Sequence, residues 1–89
     1  MTDDNIRIMQ EYLTYIHDTI PEIPAVRNTG YFGSLTREAV IAFQRYAGLE
    51  PNGIVGAVTW DAIAGLYSEL QLGYEKRPYQ SPGYTIRNQ

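Results

Sequence analysis

The chain has 89 residues, a formal net charge of −3 and no cysteine. This length is enough for one domain and too short for two. The absence of cysteine excludes disulfides, thiolate catalysis and the usual cysteine-based zinc sites. The acidic balance disfavours nucleic acid or an anionic membrane as a partner, because phosphate binding needs clustered Lys and Arg. No apolar run is long enough to span a bilayer, and the acidic start does not resemble a signal peptide. An export signal would therefore lie outside this chain.

The first predicted helix runs from about Asp4 to Thr19. Its apolar residues recur at spacings of three and four, which is typical of one face of an amphipathic helix. Asp3, Asp4 or Asn5 is expected to cap its N-terminus, and Pro21 to stop it. The apolar residues of this face are Ile6, Met9, Leu13, Ile16 and Ile20.

A loop of residues 21–33 precedes the second predicted helix, which runs from about Ser34 to Ala47. We expect Ser34 or Thr36 to cap this helix and Gly48 to end it in the left-handed conformation. Its apolar residues, which recur with helical spacing, are Leu35, Ala39, Ala42, Phe43 and Tyr46.

A short connection leads to the third predicted helix, from about Ala57 to Leu72, which Gly73 ends. Gly65 lies inside this helix, where glycine lowers helix stability by about 1 kcal/mol relative to alanine. Its presence would be explained by the close approach of another helix, which we therefore expect. From Tyr74 the apolar periodicity stops. The sequence therefore predicts a domain over residues 1–73, followed by a linker or tail over residues 74–89.

One pattern, Gly-x-apolar-Gly-x-x-Thr-x-x-Ala-apolar, occurs twice, with the second copy 23 residues after the first. The copies are residues 30–40 and 53–63. The first glycine permits a turn at positive φ, and the apolar residue, Phe32 or Val55, is expected to enter the core. The threonine is expected to satisfy a backbone group in the first helical turn. The predicted fold class is all-α, a compact three-helix bundle with two pseudo-repeated loop–helix units.

These residues resemble the peptidoglycan-binding domain family of bacterial cell-wall hydrolases, over about residues 4 to 70. In that family each copy follows an aspartate, the first copy leads into Phe-Gln and Gly-Leu, and the second ends in Thr-Trp. Thr29 and Asn52 stand where the family has aspartate; asparagine keeps the turn chemistry, whereas threonine is expected to keep less of it. The matching residues are Gly30, Gly33, Thr36, Ala39, Val40, Phe43, Gln44, Gly48, Leu49, Gly53, Gly56, Thr59 and Trp60.

The resemblance implies a non-catalytic module that binds peptidoglycan and either targets an attached hydrolase or anchors a multi-module protein. It implies an extracytoplasmic location, at the cell wall or spore envelope, and attached domains of the same polypeptide as partners. Residues 82–87 resemble the linker that starts a further copy in tandem arrays. Nothing in the sequence requires more than a monomer or indicates a cofactor. His17 is expected to face solvent, since it has no second or third metal ligand in view.

Three other functional classes are weighed against this one. A protein–protein or intramolecular docking module of the same fold remains open, because a related arrangement occurs in the pro-segments of some metalloproteases. A helix-turn-helix DNA reader is disfavoured by the acidic balance and by the glycines between the helices. A hydrolase is disfavoured because no Ser-His-Asp or Cys-His set is present.

The candidate ligand-binding residues lie near the predicted starts of the second and third helices, where free N–H groups face outward. Tyr31 is the strongest, since it lies between two glycines and should point away from the core. Tyrosine rings stack on sugars, and arginines pair with carboxylates. Gln10 and Gln44 bond either loop backbone or ligand. The full set of candidates is Arg27, Asn28, Tyr31, Arg37, Asn52 and Trp60.

Overall fold

The computed structural model describes residues 2–73, and over these residues it consists of three α-helices and no strand. Helix α1 spans Asp3–Thr19, α2 spans Ser34–Ala47 and α3 spans Ala57–Leu72. The prediction of an all-α three-helix bundle is confirmed. The predicted tail, residues 74–89, lies outside the described residues.

The core forms where the apolar face of α1 packs against α2 and α3, with α1 and α3 making the larger helix contact. Each fully buried large apolar side chain contributes about 1.5 to 3 kcal/mol to folding. Phe32 and Val55, the apolar residues of the two repeats, are partly buried against this core, as predicted. The fully buried apolar residues are Met9, Leu13, Ile16, Ile23, Ala39, Val40 and Ile63, with Phe43 at 1% exposure.

The long loop between α1 and α2 is fastened along α1 by two side chains. The Thr14 hydroxyl donates to the backbone oxygen of Val26 at 2.7 Å and accepts from its N–H at 3.1 Å. The His17 Nδ1 lies 2.9 Å from the backbone oxygen of Ile23. Because a carbonyl accepts, Nδ1 carries a proton in this contact. His17 is half-buried, and this contact holds the loop to α1. The prediction that His17 faces solvent is thereby corrected.

A buried glutamine attaches the end of this loop to α1. The Gln10 Oε1 accepts from the backbone N–H groups of Thr29 and Gly30, both at 2.9 Å. Its Nε2 donates to the backbone oxygen of Tyr31 at 3.1 Å and to the Thr36 hydroxyl at 3.0 Å. One side chain therefore fixes both the turn and the first turn of α2.

The second loop is attached to α2 in the same way. The Gln44 Oε1 accepts from the N–H of Gly53 at 2.9 Å. Its Nε2 lies 3.1 Å from the backbone oxygen of Ile54 and 3.2 Å from the Thr59 hydroxyl. Of the two uses left open for the glutamines, the structure shows the bonding of loop backbone. The threonine of each repeat accepts from a glutamine, which corrects the prediction that it satisfies a helix backbone group.

The starts of the helices differ from the predictions. Helix α1 begins after Thr2, whose hydroxyl caps the helix in place of the predicted Asp3, Asp4 or Asn5. Helices α2 and α3 begin after Gly33 and Gly56, and within the described residues neither has a side-chain cap. The prediction that Ser34 or Thr36 caps α2 is wrong. The N-cap residue is Gly33, which is extended, and the Thr36 hydroxyl accepts a hydrogen bond from Gln10 of α1 instead.

The ends of α2 and α3 agree with the prediction, since Gly48 and Gly73 adopt the left-handed conformation at φ 76° and 80°. The interpretation of Gly65 is wrong. A Cβ built on Gly65 would meet no heavy atom within 4 Å in the described part of the chain, so no helix approaches it closely.

Replacing Gly65 with alanine is expected to raise the free energy of unfolding by about 0.5 to 1 kcal/mol, because helix propensity improves and the methyl group enters open space. Urea denaturation followed by circular dichroism measures the change. Gly53→Ala is the contrasting variant: its φ is +77° and its Cβ would lie 2.8 Å from the Arg37 Cγ. It is expected to lose at least about 1 kcal/mol. Equal effects of the two substitutions would contradict this account.

Replacing Gln44 with leucine is expected to lower the free energy of unfolding by about 2 to 4 kcal/mol, since the buried N–H of Gly53 and the Thr59 hydroxyl lose their partner. Gln71→Leu is the matched control, because Gln71 is exposed and bonds only to the Tyr67 hydroxyl among the described contacts. It should change stability by less than about 0.5 kcal/mol. If the Gln44 variant were as stable as the control, the glutamine would not be holding the loop.

Candidate ligand-binding site

Tyr31 combines a fixed backbone with an exposed side chain. Its N–H donates to the Thr29 hydroxyl at 3.1 Å, and its backbone oxygen accepts from Gln10 at 3.1 Å. The side chain is 75% exposed. A Cβ on Gly33 would lie 2.6 Å from the Tyr31 Cε2, so the ring occupies the space that this glycine leaves open. An exposed ring held in this way loses little conformational freedom when it binds a ligand.

Thr29 takes the role that the family pattern gives to aspartate. Its hydroxyl oxygen accepts from the N–H two residues later, and the Asn52 Oδ1 accepts in the same way from Ile54 at 2.8 Å. Thr29 therefore keeps this turn bond, although at 3.1 Å the bond is longer than the 2.8 Å bond of Asn52. The Asn52 Oδ1 also lies 3.2 Å from the Gln44 Nε2, so the part of Asn52 that the structure explains is its role in the turn.

Arg37 reaches from the first turns of α2 to the second loop. Its side-chain stem packs against Gly53, and its Nη2 donates to the backbone oxygen of Asn52 at 3.3 Å. The structure therefore brings two of the candidate residues, Arg37 and Asn52, into direct contact. Arg37 remains an exposed residue, so its guanidinium keeps further donors available on the solvent side.

Arg7 occupies the equivalent place at the first loop, and the sequence analysis did not select it. Its side chain packs against Gly30, and its Nη1 donates to the backbone oxygen of Asn28 at 3.5 Å. Arg7 precedes Gln10 by three residues, which puts both on one face of α1. That spacing is the sequence signal that would have placed Arg7 beside the loop.

Six residues in or beside the two loops, three of them arginines, are called the loop face: Arg7, Arg27, Asn28, Tyr31, Arg37 and Asn52. Arg27 and Asn28 are exposed in the first loop, next to the turn that Gln10 holds. Three of the four arginines in residues 2–73 belong to this face, and the fourth, Arg45, lies in the last turn of α2. The loop face therefore offers guanidinium groups beside an exposed aromatic ring.

Trp60 lies in a different environment from the other candidates. It is half-buried and stacks against Tyr12, with ring centroids 6.0 Å apart and planes at 16°. Tyr12 also stacks on Tyr67 at 3.9 Å and 15°, and Tyr15 meets Tyr67 edge-on at 5.1 Å and 71°. We call these four residues, Tyr12, Tyr15, Trp60 and Tyr67, the aromatic stripe. The stripe lies between α1 and α3, and none of its ring contacts involves the loop face.

The Tyr67 phenol keeps its uncharged form to a higher pH than an ordinary tyrosine does. Burial, and next the negative charge of Glu11, raise the pKa of Tyr67 above its ordinary value. The hydrogen bond from Gln71 acts in the opposite direction. Over the described residues no group of three or more metal-ligating side chains is positioned to hold a metal ion. None of the three helices is long and apolar enough to cross a membrane.

Two comparisons with known proteins give a match: one relative matches a part of the chain, and one family matches most of it. A protein of Kitasatospora aureofaciens, described as an uncharacterized protein in the bpoA1 3' region, is 58% identical over 31 residues. The match covers 35% of this chain and 26% of the relative, so the chain matches about a quarter of that protein's length. No solved structure matches the chain significantly.

The family whose description reads Putative peptidoglycan binding domain matches residues 2–63. The matched region contains both glutamines that hold the loops, both repeats and the whole loop face. The chain therefore belongs to the peptidoglycan-binding domain family.

Proposed function

We propose that this domain binds bacterial peptidoglycan without catalysis and keeps an attached hydrolase, or another attached module, on the cell wall. The family match over residues 2–63 supports the binding function. Attachment to a wall-bound domain raises the local concentration of the attached enzyme on its substrate, and tandem copies would compensate for weak single-site affinity. The proposal implies an extracytoplasmic location at the cell wall or spore envelope.

The observation that carries the proposal is the exposed ring of Tyr31 on a backbone fixed by Gln10. Peptidoglycan contains peptide stems with carboxylates and amides. Arg27 and Arg37 supply guanidinium donors for those carboxylates, and an aromatic face packs against the apolar parts of the stem. We therefore propose the loop face as the surface that meets the peptide stem.

A second candidate function, docking to a protein domain, is favoured by a groove between α2 and α3. The groove has a volume of about 270 Å³ and is lined mainly by apolar side chains. Tyr46, 50% exposed, and Gly65 form part of it. An apolar groove of this kind suits a protein segment better than a charged peptide stem. The two candidate functions therefore use different surfaces and are separable by mutation.

Sedimentation with purified peptidoglycan sacculi tests the proposal. The unaltered domain is expected to sediment with sacculi, and Tyr31→Ala to weaken binding roughly fivefold or more, since it removes a pre-positioned exposed ring. Tyr46→Ala is the matched control, because it removes another exposed tyrosine ring from the α2–α3 groove. Circular dichroism verifies that each variant is folded. Failure of the unaltered domain to sediment, even as a tandem fusion, would overturn the proposed function.

A further variant separates wall binding from docking. Gly65→Leu places a side chain in the open groove without meeting another atom at its Cβ. Wall binding through the loop face predicts that this variant sediments with sacculi as the unaltered domain does. Loss of sedimentation by Gly65→Leu and by Tyr46→Ala, with Tyr31→Ala unaffected, would move the binding surface to the groove.

A further inference from the structure

The aromatic stripe is a second surface, which the loop face does not account for. Its rings are joined by stacking and edge contacts along the α1–α3 seam. Tyr15 is 38% exposed, and Ile8, one α-helical turn before Tyr12, is 37% exposed. Tyr12, Trp60 and Tyr67 are half-buried. Four aromatic side chains thus reach the surface along one seam of a domain that has only three helices in its described part.

The stripe and the loop face differ in charge. Helix α3 contains no Lys or Arg, and of its two acidic residues Glu69 lines the α2–α3 groove and not the stripe. On α1, the carboxylate of Glu11 is close enough to Tyr67 to raise the pKa of that phenol. A carboxylate ligand would be repelled here, whereas the loop face attracts it with arginines. The ligand that fits the stripe is therefore not an anion.

The polar atoms of the stripe restrict further which ligand fits it. The Tyr67 hydroxyl accepts a hydrogen bond from the Gln71 Nε2 at 2.8 Å, so hydroxyl and amide groups border the ring surfaces. Such a surface matches a ligand with an apolar face and a rim of hydroxyl and amide groups. Because the rings already restrain one another, little side-chain freedom is lost on binding. An N-acetylated pyranose has that shape and no charge.

We propose that the aromatic stripe binds the uncharged sugar backbone of peptidoglycan, a chain of β-1,4-linked N-acetylhexosamines, while the loop face binds the peptide stem. This inference rests on the proposed function, since the same polymer supplies both ligands. A polymer with neutral sugars and acidic peptide branches matches a domain with one neutral aromatic surface and one cationic surface.

The single tryptophan gives a direct test, because Trp60 belongs to the stripe. The whole chain is titrated with a β-1,4-linked N-acetylglucosamine tetramer, which carries no peptide, and tryptophan fluorescence is recorded. A saturable change is expected. Tyr15→Ala is expected to weaken the affinity roughly three- to tenfold, since it removes one contacting ring. Tyr46→Ala, which removes an exposed ring outside the stripe and outside the loop face, is expected to leave it unchanged.

Sedimentation with sacculi, run on the same samples, distinguishes the failure of this inference from the failure of the proposed function. Binding to sacculi without any response to the tetramer, and with Tyr15→Ala sedimenting normally, overturns the sugar site and leaves wall binding standing. A response to the tetramer that Tyr15→Ala weakens supports the sugar site, even if sacculi are not bound. A tetramer response that Tyr15→Ala does not alter, in a variant that circular dichroism shows to be folded, overturns the assignment to the stripe.

Discussion

Two glutamine side chains hold the loops of this domain to the helices that precede them. Gln10 and Gln44 are each 1% exposed, so their amide groups are removed from water and must be satisfied inside the protein. Each does so by bonding a glycine N–H, a loop carbonyl and a threonine hydroxyl of the next helix. Backbone groups in a turn are costly to bury without partners. The glutamines supply those partners and thereby determine where α2 and α3 begin.

The repeat explains why the helices were predictable from the sequence and why their caps were not. The glycines that bracket α2 and α3 interrupt the apolar periodicity sharply, and the predicted limits of both helices agree with the structure. Which residue caps a helix depends on which hydrogen-bond partner its hydroxyl group has in the folded protein. Thr36 is a plausible cap by position, but its hydroxyl is taken by Gln10 across the α1–α2 contact. Local sequence does not encode that competition.

The candidate site was partly predictable for a similar reason. The exposure of Tyr31 follows from its place between two glycines, and the structure agrees with that prediction. Arg7 was missed because its contact with Gly30 joins residues far apart in the sequence. The stacking of Trp60 on Tyr12 also requires the packing of α3 against α1, and no spacing within a single helix indicates it.

The loop face and the aromatic stripe differ in their side chains: the first contains arginines and the second contains aromatic rings. Arg7 and Arg37 lie where the chain turns, because the stem of each covers a glycine and its guanidinium group donates to a turn carbonyl. Aromatic rings collect where two helices meet, because flat side chains fill a shallow seam. The positions of both surfaces are therefore consequences of the folding of the bundle.

Tyr67 also has a consequence for the length of the repeat. In the 23-residue register that relates the two units, Tyr67 stands where Gln44 stands in the preceding helix. A glutamine at that position would be able to hold a following loop, as Gln44 holds the second loop. Each unit would then be added to the one before it, as in a solenoid. The tyrosine instead turns to Tyr12 and Tyr15 of α1. In the part of the chain that the structure describes, this position therefore joins α3 to α1 through aromatic contacts.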